Sequence, residues 1–139
     1  MINLNNFIEK LRKSGLRPTK QRIKICEILF SSDETFHFTI NDITKIIEEK
    51  ISEKISLATI YNTVHAFKKK GYLKEISINN EKNYFDTNIS DHHHFFDTKK
   101  NELIDIDSNK IELKSMPNPP KGKSIKNINI VINIENDSQ

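Results

Sequence analysis

The sequence predicts an α+β chain: a helical N-terminal part closed by a short hairpin, then a small α/β part built mainly of strands. Three observations predict it. Four stretches within the first 70 residues repeat their apolar residues at helical spacing. Residues 72–78 and 83–86 are short β-prone runs separated by Asn79-Asn80, which reads as a hairpin. Beyond residue 89 the apolar residues fall in short strand-like runs, interrupted by the Pro-rich connector 116–123. With 139 residues the chain suffices for one ordinary domain or two small ones, and the boundaries fall at 1–88 and 89–139.

Taken in order, Leu4, Phe7, Ile8 and Leu11 share a helical face across residues 1–13, and Ser14-Gly15 ends that helix. Pro18 suits the first turn of a second helix with Ile23, Cys26, Ile28, Leu29 and Phe30 as its apolar side. Ser31-Ser32-Asp33 breaks it. Phe36-His37-Phe38 follows, then Thr39 caps a third helix with Ile40, Ile43, Ile46 and Ile47 inward. Ser56 caps a fourth helix. Leu57, Ile60, Val64 and Phe67 form its inner stripe, and Thr59, Tyr61, Asn62 and His65 look outward. Lys68, Lys69 and Lys70 load its last turn, where the helix dipole favours cations, and Gly71 supplies the C-cap. Helices followed by a two-stranded hairpin predict a winged helix-turn-helix, with the fourth helix entering a major groove. In the second part, Phe95-Phe96 and residues 103–106 read as strands around Lys99-Lys100-Asn101, and residues 108–115 as a short helix. Ile128, Ile130, Ile132 and Ile134 alternate with Asn129, Val131 and Asn133, which predicts a half-buried strand. So small a core leaves apolar strand surface for a partner, so a homodimer is expected.

The net charge is +3, and it is uneven: residues 1–88 carry 15 Lys/Arg against 11 Asp/Glu, residues 89–139 carry 7 against 8. The basic excess lies where a polyanion would be met. No apolar run approaches the ~18 residues of a membrane helix, and no secretory pattern opens the chain, so a cytoplasmic address with no membrane contact is expected. The single cysteine, Cys26, rules out an internal disulfide and a cysteine-rich zinc site; its place among apolar positions reads as core.

Three of the five histidines are consecutive, in TNISDHHHFFDTKKNELIDI. On an extended chain His92 and His94 point one way and His93 the other. Two imidazoles at one point, with carboxylates nearby and no thiolate, suit Fe(II), Mn(II) or Zn(II), and the triplet also offers a haem ligand. His65, alone on a helix, reads as a surface or phosphate-facing residue, and His37, alone, as bland. Outward Thr59 and Tyr61 suit phosphates and thymine methyls, Asn62 suits adenine, and Arg17, Lys20 and Arg22 suit phosphates or a narrow minor groove.

With those residues in view, the chain resembles the Fur (ferric uptake regulator) family of metal-responsive transcription regulators. GLRPTKQR and ISLATIYNTVHAFKKKGYL match signatures of its DNA-binding domain. Within the family the chain is most similar to the iron response regulator (Irr-like) branch, through SLATIYNTVHAF, KNYFDTNISDHHHFF, ELIDI and the terminal GKSIKNINIVINI. The resemblance spans roughly residues 10–134. It implies a regulatory metal site of His37, Asp86, His92, His94 and Asp105 that bridges the two domains. It implies DNA contacts from Arg17, Thr19, Lys20, Arg22, Ser56, Thr59, Tyr61 and Asn62, made by a homodimer on an AT-rich inverted repeat of double-stranded DNA. From the branch it implies a haem site at His92, His93 and His94, supplied by a haem-delivering protein. The branch also implies action on DNA when iron is scarce, relieved by haem or iron; the metal-activated repressor, with Fe(II) or Mn(II) as corepressor, is the alternative. The chain departs from the family at its structural zinc: the first CxxC pair falls on Asp97 and Lys100, the second is absent, and no structural zinc is expected. It also lacks a Cys-Pro haem motif, since Glu27 follows Cys26, and has Asn62 where many members have arginine.

Two other classes remain. A metalloenzyme using the HxH pair with Asp97 lacks any HExxH run and active-site glycines, so no enzyme is expected. A winged-helix protein whose histidines bind nothing would tolerate alanine at His92 and His94.

Overall fold

The computed structural model describes residues 4–79 and 82–138, and the chain divides into two compact units after Ile89. Met1 of the first expected helix and Asn80 of the expected turn lie outside the described residues.

The first unit runs α1 (Leu4–Lys13), α2 (Lys20–Phe30), β1 (His37–Phe38), α3 (Ile40–Lys50), α4 (Leu57–Lys70), β2 (Lys74–Ser77) and β3 (Asn83–Asp86). Local chemistry sets the ends. Gly15 and Gly71 take the left-handed backbone, at φ +79° and +95°, that lets the chain leave α1 and α4. The Gly71 and Tyr72 N–H groups both donate to the Phe67 carbonyl, at 3.0 and 2.9 Å. Thr39 and Asp42 form a reciprocal capping box: the Thr39 hydroxyl accepts from the Asp42 N–H at 3.0 Å, and the Asp42 carboxylate from the Thr39 N–H at 2.9 Å. Pro18 stands before α2 and not in its first turn. Thr19 takes the cap because its hydroxyl satisfies the Arg22 N–H, at 3.3 Å, whereas proline only tolerates the position.

Leu11, Ile25, Ile43, Ile60, Val64 and Phe67 are fully buried among the helices. Two features of α4 differ from the sequence expectation. Leu57 is 61% exposed, because the apolar stripe leaves the core before the first turn. Thr63 is buried instead; its hydroxyl donates to the Thr59 carbonyl at 2.7 Å, which removes the cost of burying it. The sheet has three antiparallel strands in the order β1-β3-β2, so His37-Phe38 contributes a strand and β3 is central.

The second unit holds β4 (His92–Asp97), β5 (Glu102–Asp107) and β6 (Val131–Ile134) in the order β5-β4-β6. The β4–β5 pair is antiparallel and β4–β6 parallel. At the β4–β5 turn one Asp97 oxygen accepts the Lys99 and Lys100 N–H groups, each at 3.0 Å, and Asn101 adopts φ +55°. The helix expected at 108–115 is only a 3₁₀ turn, Ser108–Lys110, with no side-chain cap at Asp107. An eight-residue segment without a cap or a buried face does not sustain an α-helix. The terminal strand is shorter than expected and its burial does not alternate: Ile130, Val131 and Ile134 are half-buried, while Ile128 and Ile132 are exposed. Among the described residues no helix is long and apolar enough to cross a membrane.

Candidate metal centre and nucleic-acid interface

In the first unit, antiparallel pairing of β1 with β3 sets His37 directly opposite Asp86. Residues opposite each other on paired strands project from the same face. His37 Nε2 lies 3.0 Å from Asp86 Oδ2, and the other Asp86 oxygen accepts the Asn88 N–H at 2.8 Å. The strand end is pinned: the Phe36 N–H donates to the Thr87 hydroxyl at 2.8 Å, and the Thr87 N–H to the Phe36 carbonyl at 3.1 Å.

The second unit uses the same device. His94 lies opposite Asp105 in the β4–β5 ladder, and His92, two residues back, shares its face. Their Nε2 atoms approach the same Asp105 oxygen, at 3.3 Å from His92 and 3.2 Å from His94. The two imidazoles are buried, with ring centroids 4.5 Å apart.

Backbone contacts fix the ring tautomers. His92 Nδ1 lies 2.6 Å from the Ser90 carbonyl, which only accepts, so Nδ1 carries the proton. In the neutral ring Nε2 is then a lone-pair donor aimed at a carboxylate oxygen. Two electron-rich atoms 3.3 Å apart repel unless a cation, a second proton or a metal, stands between them. A metal fits the spacing in each unit taken by itself. Ligands bound at about 2.1 Å to a tetrahedral or octahedral ion lie roughly 3.0–3.4 Å apart; the nitrogen–oxygen separation is 3.0 Å in the first unit, and the two in the second are 3.3 and 3.2 Å.

His93 differs from its neighbours. It lies on the opposite face of β4, and its Nδ1 accepts the Ile130 N–H at 3.1 Å. In the neutral ring its proton therefore sits on Nε2. To ligate iron it would have to give up either that proton or the contact with the segment before β6. The triplet is not a single three-imidazole site.

The residues read from the sequence as DNA contacts fall in two neighbouring groups of the first unit. Arg17, Thr19, Lys20, Arg22 and Thr59 line one cleft of about 730 Å³, joined by Gln21 and Glu53, which the sequence reading missed. Glu53 pairs with Lys20 at 3.2 Å and Lys24 at 3.9 Å, and Lys20 holds its carboxyl below the ordinary value. Arg22 Nη1 donates to the Arg17 carbonyl at 3.0 Å. The second group is on α4: Ser56 is its cap, and Tyr61 and Asn62 are exposed beyond it. Leu57, one turn before Tyr61, extends that surface; nothing in the sequence marked it, since its apolar character put it in the inner stripe.

The sequence profile of the ferric uptake regulator family matches residues 13–133. The peroxide-responsive repressor PerR of Staphylococcus epidermidis is 36% identical over 103 residues, covering 74% of this chain and 67% of that protein. The peroxide operon regulator of Bacillus subtilis is 34% identical over 103 residues, with 74% and 69% covered. In fold, the chain is similar to the ferric uptake regulator of Pseudomonas aeruginosa solved with manganese, with a TM-score of 0.68, 23% identity, and 95% and 98% of the two chains covered. Members of this family are transcription regulators that respond to metals, dimerise and bind DNA, and are not enzymes. The chain belongs to the ferric uptake regulator family.

Proposed function

We propose that this chain is a DNA-binding repressor governed by one divalent ion, Fe(II) or Mn(II), held by His37, Asp86, His92, His94 and Asp105. The observation that carries the reading is the convergence of His92 and His94 Nε2 on one Asp105 oxygen, at 3.3 and 3.2 Å, matched in the first unit by His37 Nε2 set 3.0 Å from an Asp86 oxygen. Three imidazoles and two carboxylates, with no thiolate, match Fe(II) and Mn(II), with Zn(II) as a competitor in vitro. The ion supplies a fixed positive charge. The chain supplies the rest: the Ser90 carbonyl orients His92, and the strand ladders set each histidine against its aspartate. Ligands drawn from both units make occupancy a constraint on their arrangement, and a ligand shifts such an equilibrium by its differential affinity for the two states.

On the DNA side, α4 enters the major groove with Leu57, Tyr61 and Asn62 toward base edges. Arg17, Thr19, Lys20, Arg22 and Thr59 take backbone phosphates. Ile104, Ile128 and Ile132, exposed in the second unit, support a homodimer that reads an inverted repeat. The tautomer of His93 argues against haem at the triplet, and with it against relief by haem. The peroxide-responsive names of the relatives make peroxide the second signal to test.

The test is fluorescence anisotropy on an AT-rich inverted repeat and a random duplex, with Mn(II), anaerobic Fe(II), Fe(II) plus peroxide, or haem. Mn(II) and Fe(II) should tighten binding to the repeat in the wild type and in His93→Ala, but not in His92→Ala; peroxide should reverse the Fe(II) effect. Release by haem that His93→Ala abolishes, with indifference to Mn(II) and Fe(II), would overturn the proposal in favour of a haem-relieved regulator.

A further inference from the structure

His65 lies one turn beyond Tyr61 on α4, and its ring stacks on the Tyr61 ring with centroids 4.1 Å apart and planes tilted by 36°. It also meets Phe85 edge-on, at 5.6 Å and 86°. Phe85 is itself buried and stacked on Phe38 at 5.6 Å. An exposed tyrosine that would otherwise sample several rotamers is thus braced by a half-buried ring, and that ring is seated on the core of the winged helix.

We infer that His65 is a positioning residue that fixes the Tyr61 ring for contact with base edges, and so sets how sharply the protein distinguishes its operator from other duplex DNA. The inference rests on the proposed placement of α4 in the major groove. Two features support the role. Tyr61 is half exposed, so intramolecular packing alone does not need its ring held. A planar side chain at position 65 covers the ring face, and its polar edge tolerates the water that a half-buried site admits. Holding one side chain in its bound rotamer before the encounter removes an ordering cost that corresponds to roughly three- to tenfold in affinity. That gain belongs to specific binding alone, because random duplex is held through phosphates.

The experiment uses the full-length, Mn(II)-loaded chain. A duplex is first selected by the wild type from a random pool, and its affinity is compared with that of unselected duplex for the wild type, Tyr61→Ala, His65→Ala, the double variant and His65→Phe. His65→Leu, which keeps bulk over Phe85 but has no planar ring, stands in if His65→Ala does not fold. His65→Ala should lose roughly three- to tenfold on the selected duplex and nothing on the unselected one. The double variant should be no weaker than Tyr61→Ala, and His65→Phe should return to within about twofold of the wild type. If Tyr61→Ala weakens specific binding and His65→Ala does not, the inference is wrong while the placement of α4 stands. Additive losses in the double variant would also overturn it, since His65 would then act independently of Tyr61. If neither substitution matters, the placement of α4 fails and takes the inference with it.

Discussion

The reactivity of Cys26, the chain's single thiol, follows from its burial. Its side chain is fully buried, and burial pushes its thiol from the ordinary 9.0 up to about 12, against a smaller opposing pull from Lys10. Only the thiolate attacks disulfides and peroxides. At pH 8 a group with the ordinary value is about 10% thiolate, and one at about 12 is about 0.01% thiolate, a thousandfold difference before occlusion is counted. The perturbation is an aromatic disulfide reagent at pH 8, applied to the folded chain and to the chain in guanidinium, with release of the coloured thiol followed by absorbance. The folded chain should react at least about a thousandfold more slowly. A folded-state rate within tenfold of the denatured one would refute the reasoning. The same shift fixes a pH dependence. The raised folded value favours the neutral thiol, so this contribution to stability is complete below about 9 and is lost as pH rises through about 12. Denaturant midpoints of the wild type should therefore fall through that window more steeply than those of Cys26→Ala.

Three further outcomes follow from local geometry. Asp97→Ala should lower the melting temperature, because its carboxylate accepts two backbone N–H groups of the β4–β5 turn. Those bonds hold its pKa below the ordinary value, so the difference between variant and wild type should persist at neutral pH and vanish as pH falls through the folded value. Thr39→Ala should cost about 1 kcal/mol in urea unfolding, since it removes one arm of the capping box on α3; no change in midpoint would show the box to be idle. Leu57→Ala should leave thermal stability unchanged, given its exposure, while weakening binding to a selected duplex; a clear drop in melting temperature would restore it to the core.

What the sequence revealed was carried by neighbouring residues. Thr39 stands three residues before Asp42, and Gly71 follows a run of three lysines, so caps and ends could be read in place. The shared face of His92 and His94 followed from the two-residue period of a strand. Register was hidden. His37 meets Asp86 only because a two-residue strand, too short to announce itself, adds to β3 from 49 positions away. Residue chemistry alone therefore left His37 and Asp105 bland, and only the family resemblance grouped them with the others. The Ser90 carbonyl that sets the His92 tautomer was equally invisible, since any residue has a carbonyl. The helix expected at 108–115 shrinks to one 3₁₀ turn that no side chain caps, and Leu57 was placed inside because the stripe was extended one residue too far.

The central claim is that residues of both units hold one ion. It is tested most directly by isothermal titration of Mn(II) into the full-length wild type, His37→Ala and His94→Ala, with all three shown to be folded by circular dichroism. One high-affinity ion per wild-type chain is expected, with a loss of at least about tenfold in affinity in each variant, from whichever unit the ligand is removed. Unchanged Mn(II) affinity and stoichiometry in His37→Ala, with binding abolished in His94→Ala, would contradict it and confine the metal to the second unit.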